Sequence, residues 1–136
     1  MRGMMTAATW MVTMATALGT GTAAVAADEP KVTPLMAQDL VGTPGKETIM
    51  ITVEYPPGWS SAAHRHDAQT FVYVLEGSVV MAVRGGKEVT LGPGQTFYES
   101  PDDVHSVARN ASTTKPAKFL VFLVKDKDKP VSTPVK

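Results

Sequence analysis

From residue 48 to residue 124 the chain consists of short apolar runs separated by turn residues, and no other feature restricts its fold as strongly. The runs are rich in β-branched and aromatic residues, as in the segments that read TFVYVL and AKFLVFLV. Glycine and proline clusters end most runs, so that turns recur about every 8–12 residues. No run follows the helical repeat of about 3.6 residues. The pattern predicts an all-β sandwich or barrel with strands at residues 48–55, 70–75, 78–83, 88–91, 95–99, 104–109 and 117–124.

The length and the flanking composition indicate one domain with two less regular ends. The chain has 136 residues, which is typical of a single domain. Residues 28–46 are interrupted by proline and glycine, and they are expected to form an N-terminal extension or an edge strand near Leu35. The barrel is expected to cover residues 47–125. Residues 126–136 alternate lysine with aspartate and then contain two prolines, a composition that predicts a flexible tail.

Residues 1–27 contain the three parts of a secretory signal peptide. Arg2 gives a positive start, residues 4–18 form an uncharged apolar run, and the small residues that precede Asp28 supply a cleavage site. We expect cleavage after Ala26 or Ala27, which gives a periplasmic or secreted protein without a stable membrane anchor. An uncleaved anchor is the alternative, but the apolar run is short for a membrane span of roughly 20 residues.

Charge and cysteine content exclude several classes of function. Lysine plus arginine and aspartate plus glutamate both number 13, and loss of Arg2 with the signal peptide leaves a net charge of about −1. Such a chain has no basic field for nucleic acid or for anionic lipid, so nucleic acid is not an expected partner. Cysteine is absent, which excludes disulfides and thiolate metal ligands.

The chain contains three histidines, His64, His66 and His105, and their positions suggest a metal site. His64 and His66 are two residues apart, so that on an extended strand both imidazoles lie on the same face. An isolated H-x-H pair is a weak signal by itself. His105 opens a different strand, after a turn that contains proline.

The spacing around the first two histidines is similar to that of the cupin family, whose first motif is G-x5-H-x-H-x3-E-x6-G. In this chain Gly58, His64, His66 and Gly77 occur at the spacing of the motif. Only the glutamate is replaced, by Thr70. The resemblance extends over residues 48–124, nearly the whole predicted barrel.

The second cupin motif, G-x5-P-x-G-x2-H-x3-N, is met less closely. Gly94 and His105 preserve its frame. Ser100 and Asp102 stand where the family has proline and glycine, and Asn110 comes one residue later than the motif requires. All three histidines of the chain fall on ligand positions of the family.

The cupin resemblance implies a double-stranded β-helix, a jelly-roll-type barrel, that holds one divalent metal ion in its wider mouth. It also implies that His64, His66 and His105 are the metal ligands. Imidazole donors suit Fe, Ni, Zn or Cu, whereas Mn favours more oxygen donors, so the identity of the ion stays open. Three neutral imidazoles leave the charge of the ion uncompensated, and such a site favours an anionic small-molecule ligand.

The source of a fourth protein ligand is open, because Thr70 is too short to replace the glutamate. Gln69 has the necessary reach and a carbonyl oxygen, but it needs a β-bulge or a twist of the strand to turn toward the metal. Glu99, from a different strand, is a second candidate oxygen donor. A three-histidine site that is completed by water is the remaining alternative.

The expected protein is a small exported cupin with a metal-dependent, dioxygenase-like oxidoreductase activity on a small anionic organic molecule. One alternative is a non-catalytic periplasmic cupin that binds a small ligand or a metal. Another is a metal-assisted isomerase or lyase, which needs a general base, and Tyr98 and Glu99 are the candidate catalytic residues for that role. The uncharged outer runs also permit pairing into a homodimer.

Overall fold

The computed structural model of the chain describes residues 28–136, and the expected signal peptide lies outside these residues. The described part forms ten β-strands. They are β1 Lys31–Asp39, β2 Lys46–Tyr55, β3 His64–Arg65, β4 Ala68–Glu76, β5 Val79–Val83, β6 Val89–Leu91, β7 Thr96–Glu99, β8 His105–Asn110, β9 Ala117–Asp126 and β10 Thr133–Pro134. Within residues 28–136 no helix is long and apolar enough to cross a membrane.

The strands form two antiparallel sheets of five strands each, which confirms the predicted all-β barrel. The first sheet has the strand order β1-β2-β9-β4-β7, and the second has the order β10-β3-β8-β5-β6. Both sheets contribute side chains to one apolar core. Val74 and Leu123 of the first sheet and Val79 and Met81 of the second sheet are fully buried there.

Two strands at the centre of the first sheet show how the sequence builds this core. In β9 every second residue from Ala117 to Lys125 is buried, and β4 has a similar alternation from Ala68 to Val74. Successive side chains on a strand point to opposite faces, so every second apolar residue can enter the core. The longest ladder joins all ten residues of β2 to β9, which pairs with β4 on its other side.

Asn110, at the end of β8, fixes the end of β2. Its Nδ2 atom donates to the carbonyl oxygens of Tyr55 at 3.3 Å, Pro56 at 3.1 Å and Lys115 at 2.8 Å. Its Oδ1 atom accepts from the backbone N–H of Ser112 at 2.9 Å. Because these partners lie at the end of β2 and in the loop after β8, one buried amide group ties these two segments together next to Tyr55.

Both ends of the described chain pack on the barrel. Residues 28–46 contain β1, which pairs with β2 as an exposed edge strand. In the segment predicted to be a flexible tail, Thr133–Pro134 form β10 and pair with β3. Lys125, just before this segment, has a buried ammonium that donates to the carboxylate of Glu47 at 2.8 Å and to the carbonyl of Lys129 at 2.6 Å. A buried cation needs such partners, and the contact with Lys129 ties the start of the segment to the barrel.

Candidate metal centre

β3 and β8 place the three histidines side by side. His64 pairs directly with His105 in the ladder between these strands. The ring centroid of His64 lies 4.9 Å from that of His66 and 4.9 Å from that of His105. One ring nitrogen of each histidine lies within 4.8 Å of a ring nitrogen of the other two. The structure therefore brings the three predicted ligands within reach of one ion.

Backbone carbonyls orient the rings of two of these histidines. The Nδ1 atom of His64 lies 2.9 Å from the carbonyl oxygen of Ala62, and that of His66 lies 2.6 Å from the carbonyl oxygen of Val131. A carbonyl oxygen only accepts hydrogen bonds, so each Nδ1 carries a proton and donates it. The Nε2 atom of a neutral ring then keeps its lone pair, which is the usual arrangement of a metal-binding histidine.

Unpaired polar atoms of His105 and Glu99 show that a metal ion fits this site. Among the described residues, neither ring nitrogen of buried His105 has a hydrogen-bond partner, and Oε1 of Glu99 has none either. The Nδ1 atom of His105 lies 2.8 Å from this Oε1 atom, but its N–H is not directed at the oxygen. Burying an unpaired polar atom costs roughly 1–3 kcal/mol. A cation bound between these groups would satisfy them.

The protonation state of His64 also suits metal binding. Burial is the main cause that lowers the pKa of His64 below its ordinary value. The hydrogen bond to Ala62 opposes this shift, and the neighbouring His105 and His66 add to it. The ring is therefore neutral at pH 7, and only a neutral imidazole binds a metal ion.

The structure places Gln69, the predicted fourth ligand, on the outer face of β4. β4 keeps a regular register with β9 from Ala68 to Val74, without the bulge that Gln69 would need. Gln69 is therefore exposed on the outer face of the strand, while its neighbour Thr70 is fully buried and lines the cavity beside the histidines.

Glu99, predicted as an oxygen donor or a general base, lies directly beside the histidines. It pairs with Thr70 in the β4–β7 ladder and is only 2% exposed. Its Oε2 atom lies 3.7 Å from Nε2 of His66, and its Oε1 atom lies 2.8 Å from Nδ1 of His105. The first sheet thus brings a carboxylate to a site whose histidines come from the second sheet.

A largely apolar cavity of about 410 Å³ adjoins the histidines. Its walls include Ile51, Val53, Phe119 and Val121 of the first sheet and Met81 of the second. The polar lining consists of the three histidines, Glu99, Thr70 and two serines, together with the phenol of Tyr55. A molecule in this cavity would meet metal-binding groups at one place and apolar side chains over most of its remaining surface.

Tyr98, predicted as a candidate catalytic residue, is not among the residues that line this cavity. It is half-exposed on the outer face of β7, where its ring centroid lies 5.2 Å from that of Phe71. Tyr55, which sequence reasoning missed, lines the cavity instead. Burial, and to a lesser extent the charge of Glu99, raises the pKa of Tyr55 to about 12, so its phenol stays protonated. The available signal was strand parity, since Tyr55 shares a face of β2 with buried Val53.

Comparison with protein families agrees with the fold and with the histidine spacing. The family model described as Cupin domain matches residues 51–123, a range that includes all three histidines and Glu99. No curated protein sequence matches the chain.

Several solved structures have the same architecture. DMSP lyase DddQ from Ruegeria pomeroyi DSS-3 is 20% identical, with a TM-score of 0.56, over 65% of this chain and 43% of the lyase. Oxalate oxidase in complex with the substrate analogue glycolate is 21% identical, with a TM-score of 0.58, over 78% of this chain and 55% of that chain. An uncharacterized protein with a double-stranded beta-helix domain from Klebsiella pneumoniae is 21% identical, with a TM-score of 0.55, over 76% of this chain and 85% of that chain. The chain thus spans less than half the length of the lyase, and identities this low show the fold alone.

Proposed function

The chain belongs to the cupin family, and from this premise we propose that it is a metal-dependent, dioxygenase-like oxidoreductase that acts on a small organic molecule. The observation that carries the proposal is the cluster of three imidazoles beside an apolar cavity of about 410 Å³. Three nitrogen ligands leave coordination positions open, which a catalytic metal site needs and a closed structural site lacks.

The lining of the cavity supports a substrate with one anionic oxygen group and an apolar body. A carboxylate, an enolate or a deprotonated phenol would bind the positive ion, and apolar walls such as Phe119 and Val121 would cover the rest of the molecule. Oxalate oxidase, which shares the fold, binds glycolate, a small carboxylate. A preference of this chain for such anions is part of the proposal.

Three histidines would hold the metal, and two backbone carbonyls would orient two of their rings. His64, His66 and His105 are the ligands, and a divalent ion bound to them supplies Lewis acidity and, if it is redox-active, exchange of electrons. The carbonyls of Ala62 and Val131 keep two of the rings oriented, so the ligands need little rearrangement on binding.

Tyr55 and the cavity walls would position the substrate. The protonated phenol of Tyr55 can donate a hydrogen bond to a substrate oxygen within the cavity. The apolar walls exclude water, which strengthens every charge interaction inside the site. These groups bind, orient and shield the substrate, and none of them needs to change its protonation state.

We propose that the protein acts in the periplasm or outside the cell. The positive start, the apolar run and the small residues before Asp28 support this location. Recovery of the mature chain from the periplasm or the medium, rather than from the cytoplasm, tests it. The same preparation provides the protein for the experiments that follow.

The metal content of the mature protein is the first test. We expect elemental analysis to find one ion per chain in the wild type. This ion should be lost in each of the variants His64→Ala, His66→Ala and His105→Ala, because two imidazoles hold an ion poorly. Gln69→Ala is the matched control, since this exposed side chain lies outside the site and its loss should leave one ion per chain. Full metal content in any of the three histidine variants would remove that residue from the ligand set.

Oxygen consumption is the second test. The metal-loaded protein should consume oxygen with at least one member of a panel of small carboxylates and phenols, and His66→Ala should not. Conversion of a substrate without oxygen uptake would instead favour an isomerase or lyase. Tight binding of a ligand that remains unaltered would favour the non-catalytic binding protein.

A further inference from the structure

The glutamate of the first cupin motif is missing in this chain, but a carboxylate occupies the facing position on the neighbouring strand. Thr70 stands at the motif position, and Glu99 is its direct partner in the β4–β7 ladder. Side chains of such a cross-strand pair lie on the same face, with Cβ atoms about 5 Å apart. Both residues are buried, at 0% and 2% exposure, and both line the cavity. Glu99 can therefore bring a carboxylate to the region that a glutamate at position 70 would reach.

The hydrogen bond of His66 restricts what can lie between this residue and Glu99. Its Nδ1 atom donates to the carbonyl of Val131, so in the neutral ring Nε2 carries a lone pair. The Oε2 atom of Glu99 lies 3.7 Å from this Nε2 atom. Two electron-pair donors thus face each other in a buried site, an arrangement that is unfavourable unless a cation lies between them.

The distances around Glu99 also match those between ligands of one ion. Adjacent ligands of an octahedral ion with bonds of about 2.1 Å lie about 3.0 Å apart. The carboxylate oxygens of Glu99 lie 2.8 Å from a ring nitrogen of His105 and 3.7 Å from one of His66, on either side of this value. No described residue forms a hydrogen bond with Oε1 of Glu99, and within residues 28–136 the ion-pair partners of its carboxylate are the imidazoles of His66 and His105.

We propose that Glu99 is the fourth protein ligand, so that the site has three imidazoles and a carboxylate that is supplied by β7 instead of β4. The inference rests on the metal site of the proposed function and narrows its substrate class. A divalent ion bound to one carboxylate keeps a net charge of +1. A substrate that binds through a single negative charge would therefore neutralise the site, whereas a substrate with two negative charges would leave an excess negative charge in it. The oxygen ligand also extends the set of suitable metals toward Mn.

Glu99→Gln tests the ligand assignment in the mature, full-length protein, with Zn²⁺ and Mn²⁺ as probes in a chelator competition assay. Because Gln has nearly the same shape but is a poor ligand, metal affinity should fall by more than about 100-fold, beyond the roughly 10- to 100-fold effect of residues that only orient a ligand. Asp102→Asn, at an exposed carboxylate, is the control and should leave the affinity unchanged.

Thermal melting separates a ligand from a merely structural residue. Without metal, Glu99→Gln should melt at the same or a higher temperature than the wild type, because a buried carboxylate whose Oε1 atom has no hydrogen-bond partner is replaced by a neutral amide. With metal, the same variant should melt at a lower temperature, because it binds the ion weakly. A structural role would lower the melting temperature in both states, and this outcome would overturn the proposal.

Exchange of the two facing residues provides a gain-of-function test. Thr70→Glu combined with Glu99→Thr returns the carboxylate to the motif position on β4 and should recover most of the affinity that Glu99→Gln loses. Affinity of Glu99→Gln within tenfold of the wild type, or no recovery on exchange, would overturn the ligand assignment. The proposed function would still stand in that case if the histidine variants lose the metal, and it would fail only if they retain it.

Discussion

At the scale of single residues, Tyr55 is a hydrogen-bond donor that its surroundings keep neutral. It is 7% exposed and lines the cavity at the end of β2. Burial is the main cause that raises its pKa to about 12, and the carboxylate of Glu99 adds to the effect. A phenol can donate a hydrogen bond to an anion, whereas a phenolate would repel it, and the raised pKa extends the range in which Tyr55 is a donor to alkaline pH.

The raised pKa of Tyr55 predicts a loss of stability of the metal-free protein at alkaline pH. Because the folded pKa of about 12 exceeds the ordinary value of 10.0, the contribution is complete below pH 10 and is lost as the pH rises toward 12. A shift of this size corresponds to about 3 kcal/mol. We expect the unfolding free energy measured with urea to decline less steeply between pH 10 and pH 12 in Tyr55→Phe than in the wild type.

Tyr98→Phe is the matched control for this measurement, because Tyr98 is half-exposed on the outer face of β7. The unfolding free energy of Tyr98→Phe should decline between pH 10 and pH 12 as steeply as that of the wild type. An equal decline in all three proteins would show that Tyr55 does not govern the alkaline transition.

The spacing of the motifs predicts that the three histidines form a cluster. For residues outside the motifs, the alternation of side chains along each strand determines which ones face the cavity. Chemistry and reach favour Gln69 and Tyr98, yet both lie on outer faces. Tyr55 shares the parity of buried Val53, so a closer reading of β2 would have found it. The burial of Glu99 was harder to foresee, because β7 has only four residues and its burial does not alternate regularly.

At the scale of elements, the C-terminal segment forms part of the candidate metal centre. The carbonyl of Val131 accepts a hydrogen bond from His66, and Val131 and Ser132 line the cavity. β10 pairs with β3, the strand that begins at His64. The segment therefore orients one metal ligand and covers part of the cavity at the same time.

Removal of residues 131–136 is expected to lower metal affinity by about 10- to 100-fold, because His66 then loses the acceptor that orients its ring. Removal of residues 135–136 alone keeps both Val131 and β10, so this shorter truncation is the control and should bind metal like the full chain. A chelator competition assay measures the metal affinity of each truncated protein. Equal affinities in the two truncated proteins would mean that the tail does not hold His66.

The composition of residues 126–136 indicates a solvated tail. It gives no sign of packing, because the side chain that contacts both this segment and the barrel, Lys125, precedes it in the sequence. Lys125 belongs to an apolar strand, where a lysine would be expected to reach solvent. Its ammonium is instead buried against Glu47, which is 78 residues away in the sequence. No local pattern can show such a contact, since it depends on the pairing of β2 with β9.

At the scale of the whole molecule, the site lies where the two sheets meet. The second sheet provides the histidines through β3 and β8, and the first sheet provides Thr70 and Glu99. The spacing of short strands and turns is sufficient to predict a barrel of this kind. The order of strands within each sheet is not predictable in the same way, because neighbours such as β2 and β9 are distant in sequence.

Removal of the metal is expected to lower the melting temperature of the barrel. An ion that binds only the folded state, at a free concentration about 1,000 times its dissociation constant, stabilises the protein by about 4 kcal/mol. Calorimetry with and without a chelator should show this difference in the wild type. The double variant His66→Ala, His105→Ala is the control, and its melting temperature should not respond to the chelator. A wild type that melts at one temperature in both conditions would contradict metal binding by the folded protein.

The place of β9 in the chain determines when the barrel can close. β9 is the central strand of the first sheet, with β2 on one side and β4 on the other, yet it is the last long strand to be synthesised. Its partners in β2 precede it by about 60–80 residues, and pairing across such separations makes folding slow. Until β9 arrives, β2 and β4 have unpaired edges that can pair with other chains. The first sheet therefore cannot close until β9 has been synthesised, and its central hydrogen-bond ladders form together at that late point.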